Sequence, residues 1–300
     1  MKTTERLNKC PLCKSGLFLN HLKVKDNAIS KEEFLICKCS KCTLTFTNPR
    51  PDQTNIGKYY ISEEYISHKD KSNNLINVIY KLVRNFTIKK KVSILNHYTS
   101  QKRKVLDIGA GTGYFLAEAI KQDWKVLAIE PNQEARQQLS KKNIKAFESL
   151  SDIKKGKKFT AITLFHVLEH INELRKTGKT INKLLEDNGT LLIAVPNLDS
   201  WDSNHYQENW AAWDVPRHLY HFNQKSIYNF AEEFGFHIID TLAMPFDSYY
   251  VSILSEKHIN PGQSSLIHLI KGLIKGWKSN KWAKKNNNNY SSLLFILKKK

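Results

Sequence analysis

The sequence predicts an α/β fold, a largely parallel seven-stranded sheet with helices on both faces, preceded by a small metal-stapled module. Three observations carry this expectation. From Lys104 onward, short apolar runs alternate with amphipathic segments, the pattern of strands joined by crossover helices. The first run passes directly into a glycine-rich turn, DIGAGTG. All five cysteines lie within the first 42 residues, where an ordinary core would scatter them.

The cysteines form two CxxC knuckles, Cys10-Pro-Leu-Cys13 and Cys39-Ser-Lys-Cys42. Each knuckle presents two thiolates at one corner of a tetrahedron, so together they suit a zinc ribbon. A segment this short cannot fold on apolar burial alone, and bound metal would supply the missing free energy. Four thiolates leave no open position, so the expected Zn2+ is structural. Cys37, in the strand-like EFLICKC, is left over as a core thiol. The ribbon is expected over residues 1–50, linker and lid helices over 51–103, and the main domain over 104–300 with an insertion at 246–290.

Composition bounds the rest. The chain has 300 residues, 41% of them hydrophobic, enough for one large domain with an appendage. No window approaches the roughly 18 apolar residues of a membrane span, and the N-terminus lacks a signal-peptide core, so a cytoplasmic location is expected. The formal charge of +19 invites nucleic acid or an anionic surface as partner, although the lysines are dispersed in the manner of a solvated exterior.

The linker helix follows the apolar spacing Leu75, Ile76, Ile79, Leu82, Val83 and Phe86, to about His97. Strands are expected at 104–109, 125–130, 144–147, 159–165, 190–195, 236–244 and 291–298. Helices are expected at 113–122, 132–142 and after His166.

Gly109, Gly111 and Gly113 lie where the first strand turns into a helix, so backbone amides can approach a ligand closely. Asp107 ends that strand, and Glu130 ends the next, where a carboxylate can accept both ribose hydroxyls of a nucleoside cofactor. A dinucleotide site would carry GxGxxG; GAGTGY departs from it.

VLDIGAGTGYFL followed by AIEPN resembles the first two cofactor motifs of the class I S-adenosylmethionine-dependent methyltransferases, whose sheet is Rossmann-like. FTAITLFHVLEHI and LLEDNGTLLIAVPN resemble their fourth- and fifth-strand motifs. CPLC, CSKC, NPRPD and WDVPRHLYHFNQKSIYNFAEEFGF are similar to a bacterial branch with an N-terminal zinc ribbon. The resemblance implies S-adenosyl-L-methionine as cofactor. Its methionine end would lie against Asp107 and the turn of Gly109, Ala110, Gly111 and Gly113, with Tyr114 and Phe115 beside it. Its ribose would meet Glu130 next to Pro131, and Phe165 and His166 would contact it from the fourth strand. Tyr59, Tyr60 and Tyr65 are candidates for a lid.

FHVLEHI also matches the H-x-x-E-H pattern of inverted zincins, because His166 and His170 would share a helix face. A buried strand, FTAIT, runs straight into it, and that context disfavours a peptidase. In the similar ubiquinone O-methyltransferases, a Glu-x-x-Glu-His run at this place is associated with a divalent cation; here His166 stands at the first position.

Methyl transfer from a sulfonium needs alignment above all, and a base only where the acceptor must lose a proton. His218 is the candidate base, with Tyr220 and His221 lining the acceptor pocket, because Trp210, Trp213, Asp214, Arg217 and these three cluster in one polar, aromatic loop. The alternative is that Arg217 and His218 pin that loop.

Residues 264–285 form an amphipathic segment, with Leu266, Ile267, Leu269, Ile270, Leu273, Ile274 and Trp277 on one face and His268, Lys271, Lys275 and Lys278 on the other. It could gather a lipid-linked acceptor at an anionic membrane; an apolar stripe is usually buried, so packing on the core is the expectation. The expected activity is methylation of a small-molecule or lipid-intermediate acceptor. RNA methylation and non-catalytic binding are the competing readings.

Overall fold

A computed structural model describes residues 4–60, 75–99 and 103–300, with the side chains of 75–82 excepted. Tyr65, and the side chains of Leu75, Ile76, Ile79 and Leu82, therefore lie outside the described residues.

The chain opens with β1 (Thr4–Glu5), β2 (Phe18–Lys25), β3 (Glu33–Cys39), β4 (Thr45–Thr47) and β5 (Arg50–Pro51). Helix α1 (Leu75–Tyr98) leads to the main domain. There β6 (Lys104–Ile108), α2 (Tyr114–Ile120), β7 (Lys125–Ile129), α3 (Gln133–Lys141), β8 (Ala146–Phe147), β9 (Phe159–Phe165), α4 (Leu174–Leu184) and β10 (Leu185–Pro196) alternate as the pattern requires. Then come α5 (Trp201–Tyr206), β11 (Tyr220–His221), α6 (Gln224–Glu233), β12 (Phe236–Ala243), α7 (Asp247–Ile259), α8 (Ser265–Ala283) and β13 (Ser292–Lys299).

The seven-stranded sheet has the order β12-β13-β10-β9-β6-β7-β8. Strands β6 to β10 pair in parallel, whereas β13 runs antiparallel to both of its neighbours. Strand order reverses between β6 and β9, and ligands in such sheets bind beyond the carboxyl ends at that switch point. The sheet is covered on both faces, and its residues sort by the two-residue period. Leu106, Ile108, Ile162, Leu164, Leu191 and Ile193 face one layer, shared with α4, α6 and the cysteine module. Val105, Ala161, Leu192, Ala194, Leu294 and Ile296 face the other, against α1, α2 and α3.

The expected strands are all present, with altered ends. The third shrinks to Ala146–Phe147, an edge strand with a single partner. The fifth lengthens to Leu185–Pro196, with its pairing interrupted between Leu185 and Thr190. The insertion holds two helices rather than one, and its apolar stripe is not packed on the core. Leu266, Ile270 and Trp277 of α8 are 63%, 50% and 54% exposed, while Gly272, Gly276, Ser279 and Ala283 face inward. A Cβ on Gly272 would lie 2.4 Å from Ile253 Cγ1, and one on Gly276 would lie 2.7 Å from Tyr249 Cα. Close approach to α7 through glycines decides which face turns in, and helical hydrophobicity alone does not report it.

The ribbon is joined to the main domain by a shared sheet of order β11-β4-β3-β2, in which the short strand of Tyr220–His221 pairs with β4.

Candidate active site

The four knuckle thiols converge. Cys10 Sγ is 3.5 Å from Cys42 Sγ, Cys13 Sγ is 3.6 Å from Cys39 Sγ, and all four lie within 4.8 Å of one another. Zn–S bonds of about 2.3 Å in a tetrahedron set sulfurs about 3.8 Å apart, so the cluster could form a zinc site. Both knuckles turn alike: Lys14 N–H donates to Cys10 O and Thr43 N–H to Cys39 O, and both residues take positive φ of 62°. Cys37 Sγ points instead toward Asn20 and the Asn48 carbonyl.

At the carboxyl edge of the sheet, Gly109 takes φ +72°, and a Cβ there would fall 2.4 Å from Val167 Cγ2. Gly113 at the start of α2 takes φ +79°, and its Cβ would fall 2.3 Å from Leu139 Cδ2. Two of the glycines are thus required by close packing as well as by φ. Gly111 meets open space, and its N–H donates to Glu130 Oε2 at 2.7 Å. Glu130 Oε1 accepts from Asn132 N–H at 2.9 Å; each oxygen keeps a second lone pair. Ala110 is partly covered, Pro131 is exposed, and the Tyr114 ring lies between Arg84 and Lys142. Phe115 meets Phe165 edge to face at 5.0 Å.

Asp107 is buried and accepts from Thr163 Oγ1 at 2.6 Å. Burial pushes its carboxyl up to about 7; the Thr163 bond and the Lys91 charge pull the other way, and Glu130 adds to the rise. Lys91 of α1 arches over the Phe165 ring at 4.3 Å, and burial lowers its ammonium below the usual range despite Asp247 and Asp107. Sequence reading missed Lys91, because Lys89, Lys90 and Lys91 are indistinguishable without the helix orientation.

His166 follows β9 with φ +58°, a conformation that costs a non-glycine residue about 1–3 kcal/mol. Its Nε2 lies 3.1 Å from Asp247 Oδ2 and its Nδ1 3.6 Å from Glu169 Oε1. Burial would lower its pKa, but the two carboxylates outweigh it and raise the imidazole to about 9. His166 is therefore a cation near neutral pH. Asp247, at the start of α7, is the second residue that sequence reading missed.

Behind His166 lies a cluster of acceptors. Glu169 is 1% exposed, and neither carboxylate oxygen has a hydrogen-bond partner among the described residues. His170 Nδ1 lies 3.0 Å from the Arg217 carbonyl and His218 Nδ1 lies 2.8 Å from the Ala212 carbonyl. A carbonyl only accepts, so His218 carries a proton on Nδ1, while His170 Nδ1 is shared between the Arg217 carbonyl and the Tyr60 hydroxyl. Ligand atoms of Glu169, His170 and His218 lie within 4.8 Å of one another and could hold a cation; His166 is no part of that set. Burial, then the neighbouring His218, lowers His170 to about 4.

The other candidates lie at the seam with the ribbon. Tyr220 Oη donates to the Asn172 carbonyl at 2.8 Å and takes a bond from Arg50 at 3.0 Å, while His221 Nε2 lies 3.2 Å from Thr47 Oγ1. Both are buried strand residues of β11, pointing into the joint rather than the cleft. Trp210 and Trp213 pack with Val24, Phe34 and Ile36 of the ribbon. Arg217 ties this loop to Asp26 of the ribbon and to the Tyr59 carbonyl. Tyr59 is also buried in the seam, donating to Glu32 at 2.7 Å; its neighbour Tyr60 is the tyrosine that reaches His170, at 3.1 Å.

Sheet order, the reversed last strand and the glycine turn with its acid define a class I S-adenosylmethionine-dependent methyltransferase fold. Residues 81–241, more than half the chain, match the model of the methyltransferase domain family, and the chain belongs to that family. Magnesium protoporphyrin IX methyltransferase from Synechocystis, solved with bound SAH, shares 13% identity at a TM-score of 0.53, covering 83% of this chain and 100% of that one. The cyclopropane synthase MmaA2 from Mycobacterium tuberculosis gives 14% identity and 0.48, over 69% and 82%. A SAM-dependent methyltransferase from Archaeoglobus fulgidus gives 16% and 0.48, over 75% and 100%. At these identities the likeness is one of fold. No curated protein matches the chain.

Proposed function

We propose that this methyltransferase transfers a methyl group from S-adenosylmethionine to oxygen, nitrogen or carbon of a small-molecule or lipid-intermediate acceptor. The observation that carries the reading is the arrangement of Asp107, the glycine turn and Glu130 around the sheet's switch point, opposite His166. Glu130 would accept the ribose hydroxyls with its remaining lone pairs. Asp107 and the open face at Gly111 would meet the methionine end, with Phe115 and Phe165 beside it.

In the displacement, an electron pair of the acceptor (a lone pair on oxygen or nitrogen, a π or carbanion pair on carbon) forms the bond to the methyl carbon as the carbon–sulfur electrons return to sulfur. The chain's task is to hold donor and acceptor in line and to exclude water. An acceptor that must lose a proton would pass it to His218 Nε2, through the cluster of Glu169 and His170. The buried Glu169 carboxylate, without a hydrogen-bond partner among the described residues and close to His170 and His218, could share such a proton, which supports His218 as base. Tyr220 and His221 would act at a distance, by fixing the loop that carries it. In this reading the four thiolates hold structural Zn2+ and take no part in transfer.

Titration with S-adenosylmethionine tests the cofactor site: Glu130→Ala should weaken binding by about tenfold or more, the loss of charge-assisted bonds. Labelled cofactor in a lysate metabolite pool then identifies acceptors. With an acceptor in hand, His218→Ala should abolish turnover while leaving cofactor affinity intact. Unchanged turnover would remove His218 as base.

A further inference from the structure

The apolar face of α8 is turned away from the protein along its whole length. Leu266, Ile270, Leu273 and Trp277 follow one another at helical spacing, widened by Ile267 and Ile274, and all six are exposed. The opposite side is committed to α7 through Gly272 and Gly276 and anchored by Ser279 Oγ, which donates to Asp202 at 2.7 Å. The helix cannot rotate to bury its stripe without driving bulky side chains into the α7 backbone.

Charge accompanies the stripe. Lys278, Lys281, Lys284 and Lys285 are exposed along and beyond the last turns, and no acidic residue follows Glu256. The Lys281 ammonium lies 5.0 Å from the centre of the Trp277 ring, so an amphipathic aromatic and a cation share one spot. A contiguous apolar face flanked by lysines, carrying a tryptophan and no carboxylate, fits the boundary between headgroups and acyl chains of an anionic bilayer. No helix among the described residues is long and apolar enough to cross a membrane.

We propose that α8 seats the protein on an anionic lipid surface, its stripe in the interfacial layer and its lysines among the headgroups. The position is useful to the main domain. Asn280 Nδ2 donates to the Pro245 carbonyl at 2.9 Å, two residues before Asp247, which meets His166. A cavity of about 380 Å³, lined by Pro245, Tyr249, Trp277 and Tyr290 among others, lies on that flank. A surface-bound α8 would hold this edge of the sheet close to the bilayer.

The full chain, loaded with zinc, is sedimented with vesicles of phosphatidylcholine alone or with about one third phosphatidylglycerol. The proposal expects the bound fraction to rise at least about tenfold with the anionic lipid and to fall with salt. Ile270→Asp with Ile274→Asp should abolish binding, and Lys278→Glu with Lys281→Glu should weaken it, while cofactor titration confirms that each variant is folded. Equal recovery with both vesicle types, or binding that survives the aspartates, overturns the proposal. So does a concentration-dependent dimer that the aspartates dissolve when vesicle binding is absent, since the stripe would then belong to a second copy of this chain.

Discussion

Arg217, in the loop after the fifth strand of the main sheet, places Nη2 2.9 Å from Asp26 Oδ1 in the ribbon hairpin, and both side chains are buried. The same guanidinium binds Asp214 at 2.7 Å and the Tyr59 carbonyl at 3.0 Å. One side chain thus ties the ribbon, the linker and the histidine loop together.

Replacing Arg217 by Met should strand the Asp26 carboxylate in the interior and deprive the partly exposed Asp214 of its guanidinium, at a cost of about 3–5 kcal/mol in urea unfolding at pH 7. The pH dependence has a definite sign. Burial would raise Asp26, yet bonds from Arg217 and the hairpin amides hold it below the usual carboxylate range; Asp214 is depressed likewise, with His218 and Arg217 outweighing burial. Depressed carboxyls contribute stability above about pH 4 and lose it as pH falls through their folded values. The gap between wild type and Arg217→Met should therefore narrow in acid.

Asp107 behaves in the opposite sense. With its carboxyl raised to about 7 by burial, the folded state is favoured below the ordinary carboxylate range and progressively penalised as pH rises through 7. Asp107→Asn keeps an acceptor for Thr163 and removes the buried charge. The cofactor-free variant should be more stable than wild type at pH 8, by at most about 4 kcal/mol, and equal or less stable at pH 4. Its affinity for S-adenosylmethionine should fall. Thermal scans at the two pH values, paired with titration, check both halves.

Much of this arrangement was legible in the chain. The glycine turn and its acid announce themselves because strand, turn and helix are contiguous, so spacing reports geometry. The CxxC knuckles are legible for the same reason. Tyr220 and His221 were not, because their place depends on pairing with Thr45 and Phe46, some 175 residues away in sequence. Asp247 and Lys91 reach the site from elements whose rotation is set by packing. On α8 the pattern misled, since hydrophobicity identified a face and the glycines opposite determined which way it turned.

The ribbon yields a third expectation. Plasma emission analysis should find one zinc per chain, lost in Cys39→Ser. Because β11 closes the ribbon sheet, chelation should raise hydrogen exchange at Thr45–Thr47 and at 219–221 together, with Thr47 N–H releasing the Leu219 carbonyl. Loss of protection confined to the knuckles would show the joint to be independent of the metal.

His166 supplies the last. Asp247 at 3.1 Å and Glu169 at 3.6 Å keep its imidazole charged to about pH 9, against the effect of burial. A raised histidine stabilises the folded state fully below about 6.5, and that contribution disappears as pH climbs through 9. Asp247→Asn removes the nearer carboxylate and leaves Glu169, so the imidazole should titrate at lower pH, which its NMR shifts report directly. Wild-type stability should decline between about pH 6.5 and 9 more steeply than that of the variant. If the imidazole titrates near 6.5 in both proteins, the carboxylates do not hold His166 as a cation, and its left-handed backbone must be sustained by packing and the Ala194 hydrogen bond alone.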